Sequence, residues 1–245
     1  MTTRPGVASQ LPTPSVESIV SLTRELVAIP SRGGEDSCEP MIEHVSAWLH
    51  DHGVAVSVLT ADIGRPVAVV GEVVGAEPGP TYCLDACLDT APFGDLSAWH
   101  HPPTEPHIED GWLHGRGAAD CKVAVAIFSH LAADFQQIRD NLRGRLLVLF
   151  DADEHTGDFA GVKTFLRSYP RVDGVLIGYP GNQVSSSAHA ASTARPSPST
   201  ASVATLEDVT PARRARSSRR HGSCKRSMQR RYRSRPPKHS RCPRR

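Results

Sequence analysis

The chain has 245 residues and an apolar content of 39%, enough for one large domain or two small ones at the low end of globular hydrophobicity. Its formal net charge of +2 hides a break, because residues 211–245 hold 15 of the 28 Lys and Arg and no acid, leaving 13 basic against 26 acidic groups in residues 1–210. A body near −13 argues against nucleic acid as its natural ligand, and the +15 tail is a separate compositional unit. The first 15 residues are polar with three prolines and lack the apolar core of a signal peptide, and no run is long enough to cross a membrane. Six cysteines, at 38, 83, 87, 121, 224 and 242, form no CxxC pair, so reduced thiols in a cytoplasmic protein are expected.

In chain order, Val16, Ile19, Val20, Leu22, Leu26 and Val27 fall at helical spacing behind Ser15 as N-cap, and Pro30 closes the run. A second helix is predicted over residues 38–52, ended by Gly53. The period then changes: residues 54–59, 67–74 and 81–87 are apolar or β-branched runs punctuated by Gly and Pro, as strands require. Residues 123–138 read as a buried helix, 146–150 as a core strand, 159–166 as a short helix and 172–177 as a further strand. Alternating strands and helices predict an α/β fold with helices on both faces of the sheet.

Three acidic clusters sit where such strands end: Asp89 after the third strand, Asp120 before the long helix, and Asp153 with Glu154 after the strand over 146–150. Loops beyond strand ends carry the chemistry in α/β sheets, so the three are expected to converge. Carboxylates joined by His or Cys can hold zinc, and amide hydrolysis at neutral pH calls for such a metal plus a carboxylate to take a proton. Each residue also has a plainer reading. Asp120 could cap the helix behind the Gly115-Arg116-Gly117 turn, Cys87 could be a small buried residue, and Asp153 could exchange roles with Glu154. His100, His101, His107 and His114 crowd one loop without a helical or finger-type spacing and read as solvated.

The ordered stretches Cys87-Leu88-Asp89-Thr90-Ala91-Pro92, Trp99 with Pro102, Gly115-Arg116-Gly117-Ala118-Ala119-Asp120-Cys121-Lys122 and Asp153-Glu154-His155-Thr156-Gly157 resemble a family of dinuclear zinc hydrolases. That family includes acetylornithine deacetylase, succinyl-diaminopimelate desuccinylase, aminoacylase and carboxypeptidase G; its pattern is His-x-Asp-x-x-Pro, Trp and Pro, Gly-Arg-Gly-x-x-Asp-x-Lys, then Asp-Glu-Glu-x-Gly. The resemblance covers residues 15–181 and implies an incomplete zinc-exopeptidase-like catalytic domain with a mixed sheet. It further implies Asp120 as the ligand bridging two Zn2+ ions (or Co2+ in their place), Glu154 as general base, and Asp89 as the acid that orients the first histidine ligand. Cys87 stands where that histidine belongs, and His155 where a glutamate ligand belongs. Both can bind zinc, although a thiolate donates more charge and weakens the Lewis acid. Tyr179 occupies the place of a further acid, and no counterpart of a final histidine is recognisable. The implied substrate is an N-acyl amino acid or small peptide, with fewer ions and less turnover than in the intact family.

After Val184 the periodicity gives way to Ser, Pro, Ala and Arg, a composition unable to bury a core. The expected division is a flexible 1–14, a partial catalytic domain over 15–184, and a disordered basic tail over 185–245. In GC-rich codons a one-base shift turns residues 185–194 into Val-Val-Val-Gly-Ala-Arg-Gly-Phe-Tyr-Arg. The same shift turns residues 200–210 into His-Gly-Glu-Arg-Gly-His-Ser-Gly-Gly-Arg-His, which resembles the lid-domain signature of the same family. The tail therefore reads as an out-of-frame translation with no specific nucleic-acid or membrane partner, and without a lid no family-type dimer is expected. The competing reading is a catalytically silent α/β scaffold whose Arg-rich tail binds nucleic acid or other polyanions.

Overall fold

The computed structural model describes residues 13–61, 64–169 and 171–179. The segments 1–12 and 180–245, with the predicted tail and its reading frame, lie outside the described residues.

Helix α1 (Val16–Ala28) starts where Ser15 accepts a hydrogen bond from the Ser18 amide, and it buries Leu22, Thr23, Leu26 and Val27. Helix α2 (Glu39–Asp51), with proline in its first turn, buries Met41, Ile42, Val45 and Leu49. Strands β1 (Ala55–Thr60), β2 (Pro66–Val74) and β3 (Glu77–Cys87) follow. A ribbon of β4 (His107–Glu109) and β5 (Trp112–His114) then precedes helix α3 (Val123–Gln137). Strand β6 (Arg143–Asp151), helix α4 (Ala160–Ser168) and strand β7 (Gly174–Ile177) complete the described elements.

The main sheet runs β1-β2-β6-β3-β7, antiparallel across β1/β2/β6 and parallel across β6/β3/β7. It is mixed, as expected. Because consecutive residues point to opposite faces, the buried runs 67–70 of β2 and 147–150 of β6 supply both faces with apolar side chains. One face packs Val69, Val148 and Phe150 against Leu26, Met41, Leu49 and Val125 from α1, α2 and α3. The other packs Ala68, Val70, Leu147 and Leu149 against Phe165 of α4. Burying each such side chain is worth roughly 1.5–3 kcal/mol, which is what holds the helices to the sheet.

The parallel pairing fixes the site, since β3 and β6 end side by side with Cys87 opposite Asp151. Their following loops therefore leave from one edge. Among the described residues β7 is the outer strand on that side, and Ile177 and Tyr179 are exposed there. The β4–β5 ribbon was not foreseen, although Asp110-Gly111 between alternating residues is a hairpin signal.

Candidate metal centre

The three loops meet. Asp89, fully buried just past β3, accepts hydrogen bonds from the backbone amides of Glu154 at 3.1 Å and His155 at 2.9 Å, tying the loop after β6 to the loop after β3. Burial pushes the Asp89 carboxyl above its ordinary range, while those two amides pull it the other way. Gly33 closes over this contact; a Cβ there would come within 2.9 Å of Asp89 Oδ2.

Cys87, the last residue of β3, is 5% exposed, and its Sγ lies 3.2 Å from that of Cys121. The hydrogen bond to Cys121, then burial, holds the Cys87 thiol well above its usual range. Asp120 precedes Cys121 across a cis peptide bond in the kinked segment Ala118–Lys122 that leads into α3. Gly117 starts that segment at φ 80°, where a Cβ would also meet Thr90 Cγ2 at 2.5 Å, so the turn admits only glycine without displacement. Lys122 ends it, with its Nζ donating to the carbonyls of Leu26 and Ile29.

His155 joins the clusters. Its Nε2 lies 3.9 Å from Asp120 Oδ2, and its Nδ1 lies 3.8 Å from Asp89 Oδ1 and 3.0 Å from Glu154 Oε2. One donor atom each from Cys87, Asp89 and His155 falls within 4.8 Å of the others, and the same holds for Cys87, Asp120 and Cys121. Asp120 Oδ1 and His155 Nδ1 are buried without a hydrogen-bond partner. Most buried polar groups in folded proteins find a partner, so a buried Asp120 Oδ1 without one, beside two thiols and an imidazole, suits a metal ion. The residues present could hold a metal ion such as zinc: Cys87, Asp120 and His155, the ligands expected from sequence, lie near one another, with Cys121 beside them.

Asp89 does not face a ring at position 87, since a cysteine stands there; its contacts go to the amides of 154 and 155, and the imidazole beside it is that of His155. Glu154 is half-buried and lines a cavity of about 260 Å³ with Cys87, Cys121, Asp151 and Tyr179. Asp153 is engaged elsewhere, accepting from Thr156 Oγ1 at 2.7 Å and pairing with Arg65 at 3.3 Å. Tyr179 donates to Asp120 Oδ2 at 3.5 Å.

Sequence reasoning passed over Cys121, Asp85 and Asp151. Burial, followed by the nearby Glu154, pushes the Asp85 carboxyl up to about 6. Burial first, then Asp85, Asp89 and Glu154, holds the Asp151 carboxyl well above its usual range. The available signal was an acid inside each of two otherwise apolar strands, both near the Cys87 end. The histidines read as solvated are also partly gathered, since the rings of His101 and His107 lie tilted against each other with centroids 3.9 Å apart.

Residues 83–238 match the profile of Peptidase family M20/M25/M40. The succinyl-diaminopimelate desuccinylase of Halorhodospira halophila is 31% identical over 180 residues, covering 69% of this chain and 44% of that protein. The desuccinylase of Xanthobacter autotrophicus is 33% identical over 168 residues, covering 66% and 43%. The chain thus spans less than half the length of these curated relatives. Among solved structures, human carnosine dipeptidase 1 superposes with a TM-score of 0.55 at 23% identity, covering 66% of this chain and 38% of that one. An M20 family metallo-carboxypeptidase from Sulfolobus solfataricus gives 0.57 at 17%, covering 65% and 37%; at these identities both show the shared fold. The ordered motifs, the mixed sheet and the matched residues agree: the chain belongs to Peptidase family M20/M25/M40.

Proposed function

We propose that this chain carries the catalytic half of a zinc-dependent hydrolase of amide bonds in N-acyl amino acids or small peptides, working in the cytoplasm and impaired by its own donor set. The observation that carries the reading is the meeting of Asp89, Asp120, Glu154 and His155, from three separate loops, around the Cys87 sulfur. The two desuccinylase relatives favour an N-acyl amine over a free dipeptide as substrate. A bound zinc ion would polarise the scissile carbonyl and lower the pKa of water. Glu154, half-buried at the cavity wall beside His155, is placed to take the proton of an attacking water at a carboxylate oxygen. Asp89 accepts from the Glu154 backbone amide and so holds the base from the chain, while the Glu154 carboxylate lies 3.0 Å from His155 Nδ1. Asp153, occupied by Thr156 and Arg65, is the poorer candidate for that role.

Impairment follows from Cys87, His155 and Tyr179 standing where the family pattern has histidine and acids. Zinc titration paired with hydrolysis of N-acyl amino acids tests this. One ion at the Cys87 centre with slow turnover is expected, and tight binding of two ions at that centre with family-like rates would refute the impairment. Residues from about 185 onward are read as out of frame, and the nucleotide sequence around codon 184 decides that point. An uninterrupted frame with unrelated codons would end it.

A further inference from the structure

Away from the metal centre, the β4–β5 ribbon and the loop before it gather three histidines and a glutamate. The turn residues Asp110 and Gly111 have φ of 50° and 81°, the backbone of a two-residue type I′ hairpin whose twist suits the flanking strands. That turn sets the register, with Glu109 opposite Trp112, Ile108 opposite Leu113 and His107 opposite His114. Side chains alternate along a strand, so His107 and Glu109 share a face, and His114 shares it from across the ribbon. His101 lies over this face. Its ring centroid is 3.9 Å from that of His107 and 6.5 Å from that of His114, and its Nε2 is 3.7 Å from Glu109 Oε2. One donor atom from each of His101, His107 and Glu109 falls within 4.8 Å of the other two. His114 and His101 also border a cavity of about 330 Å³ with His100 and Trp99.

We infer that His101, His107 and Glu109 form a second cation site, separate from the Cys87 centre, for a borderline divalent ion such as Zn2+, Cu2+ or Ni2+. Two imidazoles with one carboxylate suit those ions, whereas Mg2+ and Ca2+ prefer an all-oxygen shell. Donors to a shared zinc sit about 2.0–2.2 Å from the metal, so atoms already this close need only rotamer adjustment to converge. The half-exposed setting leaves the remaining positions to water or to His114. An ion here would clamp the loop carrying His101 onto the ribbon. That loop is already anchored beside the glycine turn, where the Arg116 amide donates to the Pro103 carbonyl at 2.7 Å and its guanidinium lies 5.0 Å over the Trp99 ring. The site would therefore brace the segment that delivers Asp120.

Zn2+ titrated calorimetrically into the full chain tests this, alongside His101→Ala, His107→Ala, Glu109→Gln and, as control, the exposed and remote His50→Ala. The thiolate centre is followed separately by the near-ultraviolet absorption of bound Co2+. One binding event is expected to weaken by on the order of tenfold or more in either His101→Ala or His107→Ala, and by less in Glu109→Gln, with the thiolate band and the His50→Ala isotherm unchanged. Less than a twofold change in both histidine variants, or an equal loss in His50→Ala, would overturn the site. Circular dichroism confirms that the variants remain folded, which is expected because the substituted side chains are surface groups.

Discussion

Replacing Lys122 by methionine isolates what holds the Asp120 segment in place. Lys122 is 1% exposed, and its ammonium donates to the carbonyls of Leu26 at 2.9 Å and Ile29 at 2.8 Å, at the end of α1. Burial drives its pKa down to about 8 from the usual 10.5 of a lysine, so keeping it charged costs roughly 3 kcal/mol. Methionine is close in shape and removes that cost. It also forfeits two charge-assisted bonds of about 1.5–3 kcal/mol each, a loss that already includes stranding the two carbonyls. The losses exceed the relief, and the expected net destabilisation is about 2 kcal/mol. Urea unfolding followed by tryptophan fluorescence measures it, with the exposed Lys163→Met as reference. Zinc affinity at the Cys87 centre should fall in parallel, because Asp120 sits two residues away on the same kinked segment. A midpoint for Lys122→Met indistinguishable from the Lys163→Met reference would refute the account of the lysine as a tether between α1 and the metal loop.

Further predictions rest on other contacts. Gly161→Ala improves helix propensity by up to about 1 kcal/mol, yet its Cβ would come within 2.5 Å of the Val67 carbonyl oxygen and 2.7 Å of Asp151 Cβ. Steric cost wins, and thermal unfolding should show a loss of about 1–3 kcal/mol; a stabilised variant would contradict the α4 packing. The Arg32 guanidinium holds the Asp36 carboxyl below its usual range through hydrogen bonds of 2.8 Å. Its folded pKa is depressed, so the pair's stabilisation is present above the unfolded value near 3.8 and is lost as pH falls through the folded one. Asp36→Asn should therefore cost about 1 kcal/mol at pH 7 and nothing at the lowest pH, checked by urea midpoints across the acid range. Co2+ bound at the Cys87 centre should show an intense thiolate charge-transfer band that weakens in Cys87→Ser and in Cys121→Ser; a spectrum insensitive to both would remove the sulfurs from the ligand set.

The fold was legible because its signals are local and repeated. The apolar spacing behind Ser15, the β-branched run over 67–74 and the buried helix after Lys122 each correspond to an observed element. Convergence of Asp89, Asp120 and Glu154 was also legible, because parallel strands must send their loops out at one edge. What escaped were contacts set by register and by turn conformation. Cys121 reaches Cys87 only because the segment Ala118–Lys122 leaves helical geometry at Asp120 and Cys121, and no spacing rule encodes that. His101 meets His107 because a two-residue turn pins the ribbon and the preceding loop folds over it. Lys122 was counted as part of a motif, while its partners lie on α1, more than ninety residues away.

The donor set bears directly on how much chemistry the centre retains. Structural zinc sites are closed by four protein ligands, whereas catalytic ones keep a position for water. Cys87, Asp120 and Cys121 bring three such donors within 4.8 Å of one another and His155 Nε2 lies 3.9 Å from Asp120 Oδ2, so the four could close on a single ion where the family pattern would offer a single histidine and acids shared between two ions. Two thiolates and a carboxylate more than neutralise a divalent charge, so an ion held by all four would be a weak Lewis acid with no site for a nucleophile. Removing a sulfur should then loosen the ion and at the same time open a coordination position. The expected signature of Cys121→Ser is weaker zinc affinity together with faster hydrolysis per bound ion. A variant that loses affinity and activity in equal proportion would mean that Cys121 supports catalysis instead of closing the site.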